Sequence, residues 1–482
     1  MNIKVIFKTL GRILWVEAIL MLIPLIVSFI YKENTYLSFL IPIGSLALVG
    51  FLLSLIKTDR KSFYAKEGFV LVGLCWIMLS LFGSIPFVIS KEIPNFVDAL
   101  FETISGFSTT GATILSTESL EGMSKSLLFW RSFTHWIGGM GVLVFVLAIL
   151  PSSEGQNIFI LRAESTGPQV GKLVSKVKVT ARILYLIYLA LTITQVIFLV
   201  FGEMNLFESI VHSFATAGTG GFGIKGDSLM SYSNYSQIVI TIFMFIFGIN
   251  FNIFYLIIIG KFIQAIKSEE LWWYIGIVLL ATTIITINIF SISQSFGVAL
   301  KDSIFQVVSI MTTSGFVTTD FVKWPELSKI VLYILMLIGA CAGSTGGGIK
   351  VSRIVILFKS ARREIKKLVH PLSVSNIRFE GERVNETTVR GVVNYFVMIV
   401  LLLGAGVFIV STDSFGDFET NITAVTTCLN NVGPGFGNVG PMSNFSEYNE
   451  LSKITLSFLM LVGRLEIYPM LLLFNPKVWL NK

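Results

Sequence analysis

Ten apolar stretches constrain this 482-residue sequence more than any other feature, because each is long enough to cross the about 30 Å of hydrocarbon in a bilayer. Backbone polar groups find no water in lipid, so such stretches predict transmembrane α-helices. A charged share of only 13% also indicates an integral membrane protein, since soluble chains carry about 25%. We place the spans at 11–31, 37–56, 67–90, 127–150, 181–202, 236–260, 271–294, 328–357, 389–411 and 451–474.

Lys and Arg are concentrated in one set of connections between the spans. Residues 350–390 contain ten Lys or Arg and four Glu, and the connections 57–66 and 161–182 are also basic. Basic loops stay in the cytoplasm, and an even number of spans puts both termini on one side, so we expect both termini in the cytoplasm. The net charge of +7 then reflects loops that face anionic lipid or a protein partner, and no nucleic-acid partner is expected.

Four short runs rich in Thr, Ser, Gly and Asn lie between spans, on the side opposite the basic connections. Each follows an apolar stretch of about three turns, too short to cross a bilayer and with an acidic residue in its first turns, as helix N-termini prefer. The repeated unit is therefore span, half-helix, polar run, span. The half-helices are expected at 95–107, 205–214, 301–310 and 418–428, and the polar runs at 107–115, 217–224, 309–317 and 430–437.

Repetition of this unit predicts an all-α integral membrane protein with four covalently joined channel-like repeats around a pseudo-fourfold pore. Two extra transmembrane helices precede the repeats. The expected boundaries are 1–60 for the extra pair and 61–160, 161–266, 267–370 and 371–482 for the four repeats, the third with a broken second helix.

The polar runs have the chemistry of a cation site. The C-terminal ends of four half-helices carry the negative ends of their dipoles and favour a cation between them. The extended chain that follows offers backbone carbonyls to replace the water shell of an ion, and glycine allows the backbone angles this requires. The runs contain no carboxylate, so K⁺ fits better than Ca²⁺ or Mg²⁺. The alternative is four ordinary surface turns, where Gly, Ser and Asn are common.

A glycine-rich run, "CAGSTGGGIK" at 341–350, interrupts the eighth apolar stretch. Each Gly costs a helix about 1 kcal/mol relative to Ala, so we expect a broken helix whose loop lies under the polar runs. The run differs from a phosphate-binding loop because Ile349 separates Gly348 from Lys350. A glycine-lined crossing between two packed helices is the other interpretation.

Arg464 lies in the middle of the last span, where a charge is costly unless it faces water or a partner. We expect it below the polar runs, where it repels cations or binds carbonyls of the glycine-rich run. A structural pair with Glu466 is the alternative, although residues two apart on a helix do not face each other. Cys75, Cys341 and Cys428 have no paired spacing and are interpreted as packing residues.

Several motifs resemble those of the Trk/Ktr/HKT superfamily of potassium transporters over almost the whole chain. In that superfamily one chain carries four joined channel-like repeats. The extra N-terminal pair of spans and "HWIGGMG" resemble the TrkH branch more than the Ktr branch. The matching motifs are "ALFETISGFSTTGAT", "HWIGGMGVLVFVLAILP" at 135–151, "TAGTGGF", "QVVSIMTTSGFVTTDF", "GACAGSTGGGIKVSRI", "NNVGPGFG" and "LMLVGRLEIYP".

This resemblance implies the residues of a K⁺ selectivity filter. We align Gly221 with Gly315 to set the register of the glycine-rich second run, and the fourth run departs from the Thr/Ser pattern with Asn-Val-Gly-Pro. The implied filter is Thr109, Thr110 and Gly111; Thr219, Gly220 and Gly221; Thr313, Ser314 and Gly315; and Asn431, Val432 and Gly433.

The resemblance also implies a gate. In the superfamily an intramembrane glycine loop obstructs the pore, and a pore-facing arginine is the counterpart of Arg464. The implied gate consists of Gly343, Ser344, Thr345, Gly346, Gly347, Gly348 and Arg464.

The function implied is K⁺ uptake across the bacterial inner membrane, with Na⁺ and Rb⁺ as further candidate ions, by a homodimer that is not an enzyme and binds no cofactor. Residues 359–388 are too short to hold a nucleotide-binding domain, so regulation would come from a separate cytoplasmic TrkA-type ring. H⁺- or Na⁺-coupled K⁺ symport stays open. A small-solute symporter is weaker because it predicts two halves of opposite orientation. An enzyme would need a cluster of His, Asp, Glu or Cys at membrane depth.

Overall fold

The computed structural model describes residues 1–58, 65–141, 177–371, 373 and 375–479, and these ranges are predominantly helical. Within them, six helices are long and apolar enough to cross a membrane. The first is formed by two consecutive helices, Ile3–Leu20 and Leu22–Ile30, and the fifth ends in a 3₁₀ turn, Phe290–Ile292. The other crossings are Tyr36–Ser54, Ala65–Ile89, Val177–Val200, Glu269–Ile289 and Glu386–Val410.

Some predictions fall outside the described residues. These are most of the connections 57–66 and 161–182, the end of the span predicted at 127–150, and the repeat boundaries after residues 60 and 160.

The two extra N-terminal helices pack through glycine. A Cβ built on Gly11 would lie 2.8 Å from the carbonyl oxygen of Gly50, and a Cβ on Gly50 would lie 2.8 Å from that of Gly11. Small residues at such crossings let two membrane helices approach closely. The pair then packs against Ala65–Ile89, the first helix of the first repeat.

Four shorter helices, here called half-helices 1 to 4, lie where the repeat predicts them. The side chains of Asn95, Asn205, Ser295 and Asp417 cap their N-termini. The expected acidic first turn is wrong for half-helix 3, because Ser295 starts that helix earlier and leaves Asp302 beyond the first turn. The half-helices are Phe96–Phe107, Leu206–Gly218, Phe296–Met311 and Phe418–Asn430.

Each half-helix is followed by a second helix that ends beside the C-terminus of a half-helix. These second helices 1 to 4 are Lys125–Gly139, Asn234–Phe247, Glu326–Ile338 and Glu450–Arg464. At two of the ends a glycine packs directly on a half-helix carbonyl: Gly138 on Phe107 and Gly463 on Leu429. In the loop after second helix 3, Gly347 packs on the Asn430 carbonyl.

More second helices are broken than the sequence led us to expect. We expected a break only in the third repeat, where Val351–Val369 continues after the interruption. In the second repeat the helix turns by 88° into Phe251–Ile258, and in the fourth it resumes as Tyr468–Leu473. The break in the second repeat lies in a largely apolar pattern, so hydropathy gives no sign of it, whereas the break in the fourth coincides with the charged residues Arg464 and Glu466.

The remaining elements are short. A two-stranded antiparallel hairpin, β1 (Arg378–Phe379) and β2 (Glu382–Arg383), lies between Val351–Val369 and Glu386–Val410, with Arg378 opposite Arg383. The other short elements are the helices Thr117–Glu121, Phe262–Ile266 and Pro476–Trp479 and the 3₁₀ turns Phe321–Lys323 and Gly437–Val439.

The contact between second helix 1 and half-helix 1 predicts a stability effect. A Cβ on Gly138 would press on the backbone of Phe107, whereas a Cβ on Gly44 meets nothing within 4 Å. We expect Gly138→Ala to destabilise the protein by about 1–3 kcal/mol, because the half-helix must move. Thermal unfolding in detergent measures this, and Gly44→Ala in another helix is the matched control. Equal melting temperatures for Gly138→Ala and the unmodified protein would contradict the contact.

Candidate ion-conducting site

The four half-helices end in the same way. The first or second residue after each helix has a left-handed backbone, and the next N–H donates to the carbonyl five residues back, as in a Schellman motif. These hydrogen bonds are Thr110 to Ser105 (2.9 Å), Gly220 to Ala215 (2.8 Å), Ser314 to Ser309 (2.8 Å) and Val432 to Thr427 (2.9 Å). The left-handed residues are Thr109, Thr219, Thr313 and Asn431, with φ between 55° and 59°.

Three of these left-handed residues are threonines, although glycine is the usual choice at this position. A β-branched residue there is strained, and such strain is characteristic of functional sites. A role for the threonine hydroxyl, which glycine lacks, would account for this strain. The hydroxyls of Thr109 and Thr313 indeed receive hydrogen bonds from Arg464 (3.0 Å) and from the Gly347 N–H (2.6 Å).

We call the triplets 109–111, 219–221, 313–315 and 431–433 polar loops 1 to 4. The third residue of each is a glycine with positive φ, from 75° at Gly221 to 106° at Gly433. Thus the first and third residues of all four loops share a left-handed backbone. In polar loop 2 this geometry falls on Thr219 and Gly221, the register used for the sequence alignment.

The four loops form a closed ring. A Cβ on the glycine of one loop would come within 3.0 Å of the middle carbonyl oxygen of the next loop, closer than real Cβ atoms come. The loops therefore surround one axis in chain order, and only glycine fits the third position. The contacts run from Gly111 to Gly220, Gly221 to Ser314, Gly315 to Val432 and Gly433 to Thr110.

One cavity opens on this ring, because all four loop glycines line it. Its described lining contains the cationic residues Arg131 and Lys225 and no Asp or Glu. Arg131 is buried and forms an ion pair with Glu102 at 2.6 Å. The guanidinium also donates to the Gly223 carbonyl (2.9 Å) and stacks on Phe222, with its carbon 3.4 Å from the ring centroid.

The Arg131–Glu102 pair forms hydrogen bonds with the chain segments that directly follow polar loops 1 and 2. Glu102 accepts hydrogen bonds from the Thr113 hydroxyl (2.9 Å) and the Ile114 N–H (3.0 Å), just after polar loop 1. Arg131 reaches the chain just after polar loop 2. This pair was not predicted from the sequence, although Arg131 lies in a predicted span and Glu102 in a predicted half-helix, where a charge indicates a functional or paired residue.

His135 explains why the middle residue of polar loop 2 is a glycine. Its Nδ1 lies 2.8 Å from the Gly106 carbonyl oxygen, and its ring occupies the space that a Cβ on Gly220 would need. Polar loop 2 therefore carries Gly where polar loops 1 and 3 carry Thr110 and Ser314.

The glycine loop, residues 339–350, lies against the ends of half-helices 3 and 4. A Cβ on Gly346 would lie 2.8 Å from the Thr312 carbonyl oxygen, and Gly347 packs on Asn430. The loop contacts Thr313 and Asn431, the first residues of polar loops 3 and 4, whereas the cavity is lined by the third residues of all four loops. The two features are thus on opposite sides of the ring, as the sequence predicts for a loop under the polar runs.

Arg464, the last residue of second helix 4, connects the glycine loop to polar loop 1. Its guanidinium donates to the Thr109 hydroxyl (3.0 Å), to the carbonyls of Thr345 (2.8 Å) and Gly139 (2.7 Å), and to the carbonyl of Gly138. Glu466, the alternative structural partner of Arg464 in the sequence, forms an ion pair with Arg353.

Two further charged residues form hydrogen bonds with the glycine loop, and no role was predicted for either from the sequence. Buried Lys350 donates from Nζ to the Gly346 carbonyl inside the loop. Glu270, buried at the start of Glu269–Ile289, accepts hydrogen bonds from the N–H groups of Ala342 (2.7 Å) and Ser352 (3.1 Å). No spacing rule relates Glu270 to residues more than 70 positions away.

The structure thus brings all twelve predicted loop residues into one ring and the predicted gate residues against its other side. Cys75, Cys341 and Cys428 are buried free thiols. The described residues contain no group of three His, Cys, Asp or Glu that could hold a metal ion.

Comparisons with known proteins agree with this architecture. The family model for TrkH, described as a cation transport protein, matches residues 39–480. The chain is 34% identical to the Trk system potassium uptake protein TrkH of Escherichia coli (strain K12), covering 99% of this chain and 100% of that one. It is 31% identical to the Trk system potassium uptake protein TrkG of the same strain, covering 99% of each. These relatives are named as transport proteins, not as enzymes.

A solved structure is also similar. The crystal structure of the potassium transporter TrkH from Vibrio parahaemolyticus matches with a TM-score of 0.89 and 31% sequence identity, covering 100% of both chains. The predicted fold class, an all-α membrane protein of four joined repeats after two extra helices, is confirmed. The chain therefore belongs to the TrkH family of cation transport proteins.

Proposed function

We propose that this protein takes up K⁺ through a pore formed by the four polar loops. The closed ring, in which each loop glycine packs on the middle carbonyl of the next loop, carries the proposal because it surrounds one axis with backbone oxygens. The proposed selectivity filter is residues 109–111, 219–221, 313–315 and 431–433. The relatives of this protein are named potassium uptake proteins, which supports K⁺ as the transported ion.

The charges around the ring support a monovalent cation. Four half-helix C-termini direct the negative ends of their dipoles toward it. The described cavity lining has no carboxylate, and Ca²⁺ or Mg²⁺ sites normally require one. Rb⁺, similar to K⁺ in its weak hydration, is expected to pass, and Na⁺ to be disfavoured.

The proposed gate is the glycine loop, residues 343–348, together with Arg464. The loop packs on the C-terminal ends of half-helices 3 and 4, on the side of the ring opposite the cavity, which supports this role. The Arg464 guanidinium places a positive charge beside Thr109, where it repels a cation leaving the filter. Opening must therefore break the contacts from Arg464 to Thr345 and from Gly347 to Thr313.

Transport through this pore is proposed to be passive. A coupled mechanism needs a titratable relay along the path, and the described cavity lining offers no carboxylate for one. H⁺- or Na⁺-coupled K⁺ symport is the alternative. It requires K⁺ flux to follow an imposed H⁺ or Na⁺ gradient at a clamped membrane potential, whereas passive flux follows only the K⁺ gradient and the potential.

The proposed setting is the bacterial inner membrane, with both termini in the cytoplasm. The basic last turn of Val351–Val369, which carries Lys366 and Lys367, supports this orientation. Likeness to the TrkH branch supports a homodimer regulated by a separate TrkA-type nucleotide-binding ring.

Flux of radioactive Rb⁺ into proteoliposomes loaded with K⁺ tests the proposed function directly. We expect uptake that is blocked by excess external K⁺ and does not need a second solute. Protein-free liposomes are the control. A membrane enzyme would give no uptake, and a small-solute symporter would give uptake only with its solute.

Gly315 provides a test of the filter. A side chain there would meet the Val432 carbonyl and force a left-handed backbone on serine, since φ is 77°. We expect Gly315→Ser to reduce the preference for K⁺ over Na⁺ by about tenfold, equivalent to about 1.4 kcal/mol. Competition of K⁺ and Na⁺ with Rb⁺ flux measures it.

Gly260→Ser is the matched control for this variant. Gly260 has nearly the same φ, 78°, but a Cβ there meets nothing within 4 Å, so the variant carries similar strain without touching a polar loop. Unchanged selectivity in Gly315→Ser would argue against a carbonyl filter.

Arg464 provides a test of the gate. Replacing it with Ala removes a positive charge and its hydrogen bonds to the glycine loop and polar loop 1. Hydrogen bonds to charged groups contribute about 1.5–3 kcal/mol each, so we expect Arg464→Ala to raise Rb⁺ flux about tenfold or more. Arg464→Lys, which keeps the charge but not the planar fork, should have a smaller effect. Flux equal to or below that of the unmodified protein would remove Arg464 from the gate.

A further inference from the structure

The turn of the hairpin 378–383 is strained. Its two central residues, Glu380 and Gly381, have φ of 53° and 76°, as a type I′ turn requires. Asn, Asp or Gly is preferred at the first of these positions, and a left-handed glutamate is unfavourable. The glutamate side chain is therefore the feature to explain.

The Glu380 carboxylate caps a transmembrane helix. It accepts hydrogen bonds from the Ser268 hydroxyl and from the Glu270 N–H, both at 2.9 Å. These groups lie at the N-terminus of Glu269–Ile289, where a negative charge is stabilised by unpaired N–H groups and the helix dipole. The hairpin thus fixes the position of Glu270.

Glu270 in turn holds both ends of the glycine loop. Its buried Oε1 accepts hydrogen bonds from the Ala342 N–H at one end and from the Ser352 N–H just past the other, and its Oε2 accepts one from the Asn250 amide (3.4 Å). This carboxylate therefore acts together with the backbone hydrogen bonds that join the two ends of the loop, from the Lys350 N–H to the Ile338 carbonyl (2.8 Å) and from the Val351 N–H to the Ala340 carbonyl (3.1 Å). It also links both ends to Asn250, just after second helix 2.

A third contact ties the hairpin to the helix that follows the glycine loop. Lys359 of Val351–Val369 donates to the Arg378 carbonyl (2.8 Å) and to the Glu269 carboxylate. The buried side chains of Ile377 and Phe379 belong to the same apolar cluster as Val351 and Val355. A displacement of the hairpin therefore acts on two helices that contact the loop, Glu269–Ile289 through Glu270 and Val351–Val369 directly.

We propose that Glu380 and Glu270 are positioning residues of the gate, and that the hairpin 378–383 is the part of the protein through which the gate is moved. Hydrogen bonds lead from the turn to the helix N-terminus, to both ends of the glycine loop, and from Gly347 to Thr313 in polar loop 3. Displacing the hairpin shifts Glu270 and releases the loop. The inference depends on the proposed gate function of that loop.

Replacing Glu380 with Asn separates this role from hairpin stability. Asn is favoured at this turn position, so Glu380→Asn relieves the strain while removing the carboxylate that caps Ser268 and Glu270. If Glu380 only stabilises the hairpin, the variant should leave the glycine loop unchanged. If Glu380 positions the gate, the variant should loosen the loop.

Labelling of Ser344→Cys with a polar thiol reagent reports on the loop without transport. In full-length protein in detergent, we expect Glu380→Asn and Glu270→Gln each to raise the labelling rate of this cysteine about tenfold. Glu382→Asn, on an exposed residue of the same hairpin, is the matched control and should have no effect. The parent with Ser344 corrects for the buried native cysteines.

Rb⁺ flux in proteoliposomes completes the test. We expect Glu380→Asn to raise flux several-fold, in parallel with labelling. Unchanged labelling in both Glu380→Asn and Glu270→Gln would overturn the inference, even if the unmodified protein transports Rb⁺. Faster labelling without any Rb⁺ flux in any variant would support the link between hairpin and loop and reject the proposed function. If Glu270→Gln does not fold, Glu380→Asn alone decides the outcome.

Discussion

The contact of a glycine Cα with a neighbouring carbonyl, repeated four times around one axis, is the constraint on which the rest of the structure depends. It requires glycine at positions 111, 221, 315 and 433, and it requires the four half-helices to end at the same depth. The supporting groups act on this ring: the Arg131–Glu102 ion pair holds loops 1 and 2, and His135 fills the space beside Gly220. Such groups are buried because the ring tolerates no displacement.

The first residues of polar loops 1 and 3, Thr109 and Thr313, have a second role. A glycine there would end the half-helix with less strain than threonine, but it would offer no hydroxyl. Thr109 and Thr313 use their hydroxyls to receive hydrogen bonds from Arg464 and from the glycine loop. These two strained residues thus connect the ring to Arg464 and to the glycine loop, so a movement of either element changes the hydrogen bonds of a polar loop.

The sequence predicts those parts of the fold that depend on local patterns. Hydropathy located the six long spans of the described residues and the first part of each second helix. The four polar runs located the half-helices, because each run combines glycine with small polar residues after a short apolar stretch. What escaped prediction depends on residues far apart in the chain. Glu102 meets Arg131, Glu380 meets Ser268, and Glu270 meets Ala342, and no periodicity relates these pairs. The break in second helix 2 also escaped, since the residues around it are largely apolar, and the break in second helix 4 was not inferred although Arg464 and Glu466 lie beside it.

Joining four repeats in one chain lets a single quarter differ from the others. Second helix 4 ends in Arg464, whereas the other second helices end in the uncharged residues Gly139, Phe247 and Ile338. In a tetramer of identical subunits the same substitution would bring four guanidinium groups together on the symmetry axis, where their mutual repulsion would be prohibitive. Four repeats joined in one chain therefore permit a single guanidinium group beside polar loop 1, which a symmetric assembly is unable to build.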